Sequence, residues 1–344
     1  MKKSTKRWIL NLLILSALIA MTVYLFVREY DFKETVGFLF EIDLRYFVGA
    51  VVLVFLFLGF YGLAVRILLN LIGKKLSLVK GFVYGCTDFY FSAITPSAAG
   101  GQPFVGYYML KDEIPVAQAS VAVLMHTVFY KIVLIAYALA AFVIAPEIVF
   151  HTSPVLTAGI FLGFTVTAVI LGLCLLCIFS KSVVYKAVDR LIHVGSKLRL
   201  VKNVEEKERK LLTAIEDYKH SASLMKKSKG TALKVFVTVF LQRSSIFAIS
   251  YLAYKSFGLT GHGLFEIIIC QVILSLAVDC LPTPGGVGAS ELAFVVIYTT
   301  IYTEDYMAPA LLFTRGISYY FCVALTGLVV FINHIRLIRK TKER

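Results

Sequence analysis

Seven charged side chains lie within long apolar stretches of this 344-residue sequence, where charge is costly unless it is neutralised or used. Four are basic and three are acidic: Arg66, Lys131, Arg243, Arg315, Asp88, Asp279 and Glu291. Cations in such places can bind a phosphate group, and acids beside them can tune that binding or carry a proton. The alternative interpretation is a set of internal ion pairs that only holds a helical bundle together.

Two motifs rich in proline and glycine interrupt apolar segments near their middle. We call them tip 1, Pro96-Ser-Ala-Ala-Gly-Gly-Gln-Pro, and tip 2, Pro282-Thr-Pro-Gly-Gly-Val-Gly, which continues to Glu291. A helix that restarts after such a break presents free N–H groups and a partial positive charge, which suit a phosphate or a carboxylate. The alternative is that these residues only let short helices turn and pack. The candidate tip residues are Pro96, Gly100, Gly101, Gln102, Pro282, Pro284, Gly285, Gly286, Gly288 and Glu291.

The composition of the chain predicts the elements that position these residues. Apolar residues make up 59% and charged residues 16%, against about 45–50% and about 25% in soluble domains. This excludes a soluble enzyme, a disordered chain and a disulfide-stapled secreted domain, and the apolar blocks lack the alternation of a membrane β-barrel. The predicted fold class is an all-α polytopic membrane protein that forms one integral membrane domain over residues 1–344.

Six apolar segments are long enough to be full membrane spans. They are 8–27, 46–71, 116–145, 155–179, 231–256 and 307–333. Lys and Arg concentrate in the N-terminus, residues 73–80, the linker 180–230 and the C-terminal tail; the linker alone has 13 of them. The positive-inside rule therefore predicts that both termini are cytoplasmic.

The two segments that contain the tips, 81–110 and 264–302, must each return to the side from which they start. We therefore predict two re-entrant helical hairpins, with two thin full spans as the alternative for 264–302. The order of span, hairpin and span over 46–145 recurs over 231–333 in the opposite orientation. This is an inverted-topology repeat, a common plan of secondary transporters.

The charged residues take corresponding places in the two repeats. Lys131 and Arg315 lie in the third elements, Arg66 and Arg243 in the first elements, and the two aspartates in the first arms of the hairpins. We predict that the four cations contact a lipid headgroup and that Asp88 and Asp279 couple transport to protons. The sequence predicts no catalytic residue, metal site or cofactor, and the dispersed histidines and the absence of a phosphate-binding loop agree with this.

The tips also carry a family resemblance. Ile94-Thr-Pro-Ser-Ala-Ala-Gly-Gly-Gln-Pro-Phe104 and Leu281-Pro-Thr-Pro-Gly-Gly-Val-Gly-Ala-Ser-Glu291 resemble the paired motifs of the lysylphosphatidylglycerol synthase transmembrane region, the flippase-like membrane domain of the multiple peptide resistance factor. The resemblance covers roughly 8–335. Gln102 stands where a Glu is expected, which puts an acidic role at tip 1 in doubt.

The resemblance implies a multi-pass protein of a bacterial or archaeal cytoplasmic membrane that moves a lipid between leaflets. In the full-length resistance factor a further domain attaches lysine to phosphatidylglycerol, and we expect no such synthase activity within these 344 residues. The expected partner is a phosphate-bearing lipid: phosphatidylglycerol, lysyl-phosphatidylglycerol or a polyprenyl phosphate. Nucleic acid is not expected, and no oligomeric state is predicted.

Two other functions fit the same pattern. The protein can be the membrane partner of a separate lipid-modifying lysyltransferase, or a small-anion secondary transporter with the same inverted plan. Dependence of binding on long acyl chains distinguishes a lipid translocase from a small-anion transporter.

Overall fold

The computed structural model describes residues 42–150, 153–179, 228–279 and 281–342, together with residues 37, 216, 218, 223 and 224. The described part of the chain is helical and contains no strand. Its α-helices are α1 Leu44–Leu71, α2 Leu78–Ala93, α3 Gly101–Lys111, α4 Val116–Ile144, α5 Pro146–Phe150, α6 Pro154–Phe179, α7 Lys229–Ser256, α8 Leu264–Val278, α9 Ala289–Ile297, α10 Glu304–Arg315 and α11 Cys322–Lys342.

Five helices of the described part are long and apolar enough to cross a membrane. They are Leu44–Leu71, Val116–Ile144, Pro154–Ile178, Lys229–Ser256 and Glu304–Arg339, the last of which joins α10 to α11. These match five of the six predicted spans, and the remaining one, 8–27, lies outside the described residues, as does most of the linker 180–230. The predicted class of an all-α, multi-pass membrane protein is confirmed.

Side chains just before two helices fix where these helices begin. Asp43 accepts a hydrogen bond from the backbone N–H of Arg45 at the start of α1, and Ser77 accepts one from Lys80 at the start of α2. The hydrogen bonds from the Arg45 side chain hold the pKa of the Asp43 carboxyl below its ordinary value. Within α1 and the other long helices, apolar side chains surround backbone groups that are satisfied along the helix, as a lipid environment requires.

Both segments that contain the tips are broken helices. A 3₁₀ turn, Pro96–Ala98, separates α2 from α3, and another, Pro284–Gly286, separates α8 from α9. The two helices that flank each turn also pack against each other. At 1.5 Å per residue the longest of the four, α2, extends about 24 Å, which is less than the roughly 30 Å of a bilayer core. The re-entrant paths and the inverted repeat stay predictions. A re-entrant hairpin requires a segment that breaks and folds back on itself, and both segments do so.

The two halves of the chain interlock. The most extensive helix contact joins α1 to α7, the first elements of the two predicted repeats, and α2 packs against α11. The two 3₁₀ turns also contact each other. Residues from both halves therefore meet at the tips and beside them.

Glycines allow the closest helix contacts. A Cβ atom at Gly62 of α1 would collide with the backbone of Gly81 in α2, and one at Gly85 would collide with the Leu58 carbonyl. In the same way, a Cβ atom at Gly163 of α6 would collide with the backbone carbonyl of Leu276 in α8. Small residues of this kind let membrane helices approach at backbone distance.

Gly62→Ala is expected to destabilise the protein by about 1–3 kcal/mol, because the added methyl group forces α1 and α2 apart. Gly59→Ala, on the same helix, meets nothing within 4 Å and is expected to be neutral or slightly stabilising. Thermal unfolding in detergent can be followed with a thiol-reactive dye, because Cys86, Cys270 and Cys322 are buried. Equal melting temperatures for the two variants would contradict this account.

Candidate functional site

Arg315 and Glu291 form an ion pair at tip 2. The Nε of Arg315 donates to Oε1 of Glu291 at 2.9 Å, and its Nη2 donates to the Gly285 carbonyl at 3.3 Å. Only 14% and 12% of the two side chains are exposed, so the pair is largely removed from solvent. Arg315 thereby satisfies a backbone carbonyl that the break in the helix leaves without a helical partner.

Glu291 also caps the helix that follows the break. Its Oε2 accepts a hydrogen bond of 2.7 Å from the backbone N–H of Gly288, which precedes α9, and the Ser290 hydroxyl donates to the Gly286 carbonyl at 2.6 Å. A carboxylate in the first turn of a helix is favoured by the partial positive charge there. Glu291 therefore has two structural tasks, capping α9 and neutralising Arg315.

The two tips begin with the same backbone conformation. Pro96 and Pro284 each follow an extended threonine, and two residues with positive φ come after each proline: Ser97 and Ala98 in tip 1, Gly285 and Gly286 in tip 2. The N-cap positions Gly100 and Gly288 then stand at the same distance from the prolines. The tips then diverge, because Ala99 and Gly100 have helical dihedral angles whereas Val287 is extended and Gly288 has positive φ.

This register places Pro103, rather than Gln102, at the position of Glu291. Gln102 and Pro96 are exposed, as is Pro282, whereas Pro284 is buried. No carboxylate from α3 caps its own N-terminus, but Asp88 of α2 approaches it: its Oδ1 would lie 2.7 Å from a Cβ atom at Gly101. The carboxylate near the N-terminus of α3 therefore comes from the preceding helix, α2.

Tyr319 connects the two tips. Its hydroxyl donates to the carbonyl of Ala93, the last residue of α2, at 3.2 Å, and its ring lies 4.5 Å from Cζ of Arg315. Gly285 packs so closely on this ring that a Cβ atom there would overlap it. Tyr319 belongs to a π-helical segment, Gly316–Phe321, and such segments occur often at functional sites.

A second group of polar residues, which we call the central cluster, surrounds Arg243 of α7. The Nη2 of Arg243 donates to the Tyr130 hydroxyl, and the guanidinium Cζ lies 4.3 Å from the centre of the Tyr130 ring. The Nε atom of Arg243 is buried and has no hydrogen-bond partner among the described residues. Unlike Arg315, Arg243 is not satisfied by the protein around it.

Asp88 and Tyr61 complete the central cluster. The half-buried Asp88 carboxylate interacts electrostatically with Arg243 and lies beside the Tyr61 hydroxyl. That hydroxyl is buried without a hydrogen bond of ordinary geometry to any described residue. The Tyr61 ring packs at a tilt against His126, with ring centres 4.2 Å apart, and Nε2 of His126 is 3.3 Å from Oε1 of Gln242. His126 is thus a hydrogen-bonded residue within α4.

The other predicted charges differ in their surroundings. Lys131 is half-buried, with its Nζ 5.1 Å from the centre of the Tyr130 ring, and it interacts electrostatically with Asp279 and Arg243. Asp279 is exposed and accepts a hydrogen bond of 2.6 Å from Ser275. Arg66 is half-buried and forms no hydrogen bond or ion pair with another described residue. The structure therefore groups Arg243 with Asp88, Lys131 and Asp279, groups Arg315 with Glu291, and leaves Arg66 apart.

Sequence reasoning missed the aromatic and amide partners of these charges. Tyr61, Tyr130, Gln242 and Tyr319 have no predicted role, although each contacts a charged or titratable side chain or a tip. The sequence feature that could have identified them is a hydroxyl or amide side chain that lies in an apolar segment, one to five residues from a charged residue. That signal is weak here because the chain contains 19 tyrosines and 27 phenylalanines.

The described residues contain no cluster of three or more His, Cys, Asp or Glu side chains that could hold a metal ion.

The family model described as "Lysylphosphatidylglycerol synthase TM region" matches residues 8–326 of the chain. A search of curated proteins found no significant match.

Gly285→Ala is expected to destabilise tip 2 more than Gly288→Ala. Both positions have positive φ, but only at Gly285 would the new methyl group also overlap a side chain, that of Tyr319. Each variant strains the backbone by about 1–2 kcal/mol, and Gly285→Ala adds the steric conflict. Melting temperatures of both variants measure the difference, and Tyr319→Ala should restore part of it. A decrease in melting temperature for Gly288→Ala as large as that for Gly285→Ala would refute the contact between Gly285 and Tyr319.

Proposed function

The chain belongs to the lysylphosphatidylglycerol synthase TM region family, and from this premise we propose that it moves a phosphate-bearing lipid between the two leaflets of a membrane. The candidate lipids are phosphatidylglycerol, lysyl-phosphatidylglycerol and a polyprenyl phosphate. The acyl or prenyl chains stay in the bilayer while the headgroup passes through the protein. No bond is made or broken, so the proposed protein is a transporter and not an enzyme.

The unsatisfied guanidinium of Arg243 is the observation that carries this proposal. A cation surrounded by apolar helices needs a counter-charge and hydrogen-bond acceptors, and Arg243 retains an unpartnered buried Nε. Guanidinium groups match the geometry of phosphate oxygens and bind them through several N–H groups. We assign the headgroup phosphate to Arg243, with Lys131 as the second cation because it lies within electrostatic reach of Arg243.

The contact between the tips gives a route for the headgroup. The chain reaches tip 1 through α2 and leaves it through α3, and it reaches tip 2 through α8 and leaves it through α9. The two breaks contact each other where the two halves of the chain interlock. In the inverted repeat that we propose, the two hairpins approach this junction from opposite sides of the membrane. Separation of the tips on one side and then on the other would expose the central cluster to each leaflet in turn.

Arg315 has a different place in this mechanism. It is already paired with Glu291 and with the backbone of tip 2, so a phosphate reaches it only when that pair opens. Arg66, which has no partner in the described part of the chain, is the remaining candidate for an approaching headgroup. We further propose a bacterial or archaeal cytoplasmic membrane, with both termini in the cytoplasm, from the distribution of basic residues.

Arg243→Gln is expected to slow lipid movement at least about tenfold, because hydrogen bonds to a charged group contribute about 1.5–3 kcal/mol. The purified protein is reconstituted in liposomes with fluorescent phosphatidylglycerol or a polyprenyl phosphate analogue, and the accessible label in the outer leaflet is measured over time. Lys234→Gln, an exposed position on the same helix, is the matched control. Arg315→Ala should also reduce the rate.

Lipid crossing that depends on Arg243 would establish a translocase, and the faster analogue would give the substrate class. Failure of every lipid to cross, with folded protein and with or without a proton gradient, would refute the proposal. The membrane-partner and small-anion functions would then take its place.

Asp88→Asn combined with Asp279→Asn is expected to abolish any dependence of lipid crossing on a proton gradient, because neither amide can take up a proton. Crossing is compared with and without an imposed pH difference across the liposome membrane. Each single variant shows which aspartate matters, and Asp88 is favoured because it lies beside Arg243 whereas Asp279 is exposed. Unchanged gradient dependence in the double variant would exclude both aspartates from coupling.

A further inference from the structure

Tyr319 packs between the two tips and is itself buried, with 6% of its surface exposed. Its hydroxyl donates to the Ala93 carbonyl at 3.2 Å, and Ala93 ends the helix that leads into tip 1. On the side of tip 2, a Cβ atom at Gly285 would overlap the Tyr319 ring. Tyr319, Ala93 and Val287 form one buried cluster, which we call the tip junction. The tips are therefore closed against each other around this side chain.

The hydrogen bond from Tyr319 to Ala93 differs from the bonds that hold each tip internally, because it joins the two halves of the chain. The hydrogen bond of Thr95 lies within tip 1, and the ion pair of Arg315 with Glu291 lies within the second half. Those bonds can persist when the tips separate. The bond of Tyr319 cannot persist, because its donor and its acceptor lie on opposite sides of the tip junction.

The segment that carries Tyr319 is helical but not α-helical. Residues Gly316–Phe321 form a π-helical segment inside the span Glu304–Arg339. A π-helical turn accommodates an extra residue, and such turns occur often at functional sites. Since an α-helix turns by about 100° per residue, a return to α-helical hydrogen bonds would rotate the side chains beyond the extra residue by roughly that angle. Such a change would move the Tyr319 ring relative to both tips.

We propose that Tyr319 is a latch between the tips: it holds them closed through its bond to Ala93, and that bond breaks each time a headgroup passes. Tyr319 is thus a positioning residue, which sets the closed arrangement of the tips and acts on the lipid only through them. This inference rests on the proposed function for the passage of a headgroup. The opening of the tip junction can nevertheless be measured without any lipid movement.

The test measures how often the tip junction opens. Val287 is 1% exposed, so a thiol at this position, introduced by Val287→Cys, reacts with a water-soluble maleimide only when the junction opens. Labelling of the detergent-solubilised full chain is followed over time by peptide mass spectrometry. Cys270 of α8 is fully buried and reports on general unfolding in the same sample. Ala93→Cys, at a position that is 5% exposed, is a second reporter of the same junction.

Tyr319→Phe keeps the aromatic ring and removes the hydroxyl. We expect it to speed labelling at position 287 about tenfold, because the Ala93 carbonyl loses its partner, and to leave labelling of Cys270 unchanged. Tyr320→Phe is the matched control, since Tyr320 is the next residue of the π-helical segment and packs against the same junction. An unchanged labelling rate at positions 287 and 93 would overturn the latch. An equal rise at Cys270 would also overturn it, because Tyr319 would then only stabilise the fold.

Lipid crossing in liposomes separates this inference from the proposed function. We expect Tyr319→Phe to move lipid faster than the wild-type protein, because one bond fewer must break for each passage. Slower crossing with faster labelling would mean that Tyr319 is needed in the open arrangement, and it would overturn the latch. Faster labelling at position 287 in a protein that moves no lipid would uphold the latch between the tips and refute the translocase.

Discussion

The need to satisfy backbone groups where helices break determines the architecture around the tips. A continuous helix keeps its N–H and C=O groups paired internally, but each 3₁₀ turn interrupts that pairing in a chain surrounded by lipid. The neighbouring side chains supply the missing partners. Arg315 binds the Gly285 carbonyl, Glu291 caps the N-terminus of α9, and Tyr319 donates to the last carbonyl of α2. In tip 1 the Thr95 hydroxyl accepts from the backbone N–H of Gly100 at 2.8 Å.

The charged residues differ in whether all their hydrogen-bonding groups have partners within the protein. Arg315 and Glu291 are committed to each other and to tip 2, so removing either leaves a largely buried charge without its partner. Arg243 donates to Tyr130 and still retains one buried nitrogen without a hydrogen-bond partner in the described part of the chain. Stability therefore accounts for the surroundings of the first pair, and the headgroup phosphate that we propose would satisfy the remaining nitrogen of Arg243.

The sequence predicts the helices of this fold better than it predicts the site. Apolar length alone locates five described spans within a few residues, and Pro284 with its glycines locates the break between α8 and α9. The neighbours of Arg243 come from α2 and α4, and no local pattern specifies which tyrosine faces which cation. The π-helical segment after Arg315 also lies beyond sequence reasoning, because a stretch of 36 apolar-rich residues reads as one continuous helix.

The two tips place residues with positive φ directly after a proline, but at different steric cost. Gly285 and Gly286 take positive φ without steric penalty, whereas Ser97 and Ala98 carry side chains that make the same angles unfavourable by about 1–2 kcal/mol each. Tip 1 is also exposed over Pro96–Ala98, while Pro284 of tip 2 is buried and its neighbours are fixed by Arg315 and Tyr319. Asp88 of the central cluster also touches the start of α3, and it therefore connects that cluster to the strained tip 1.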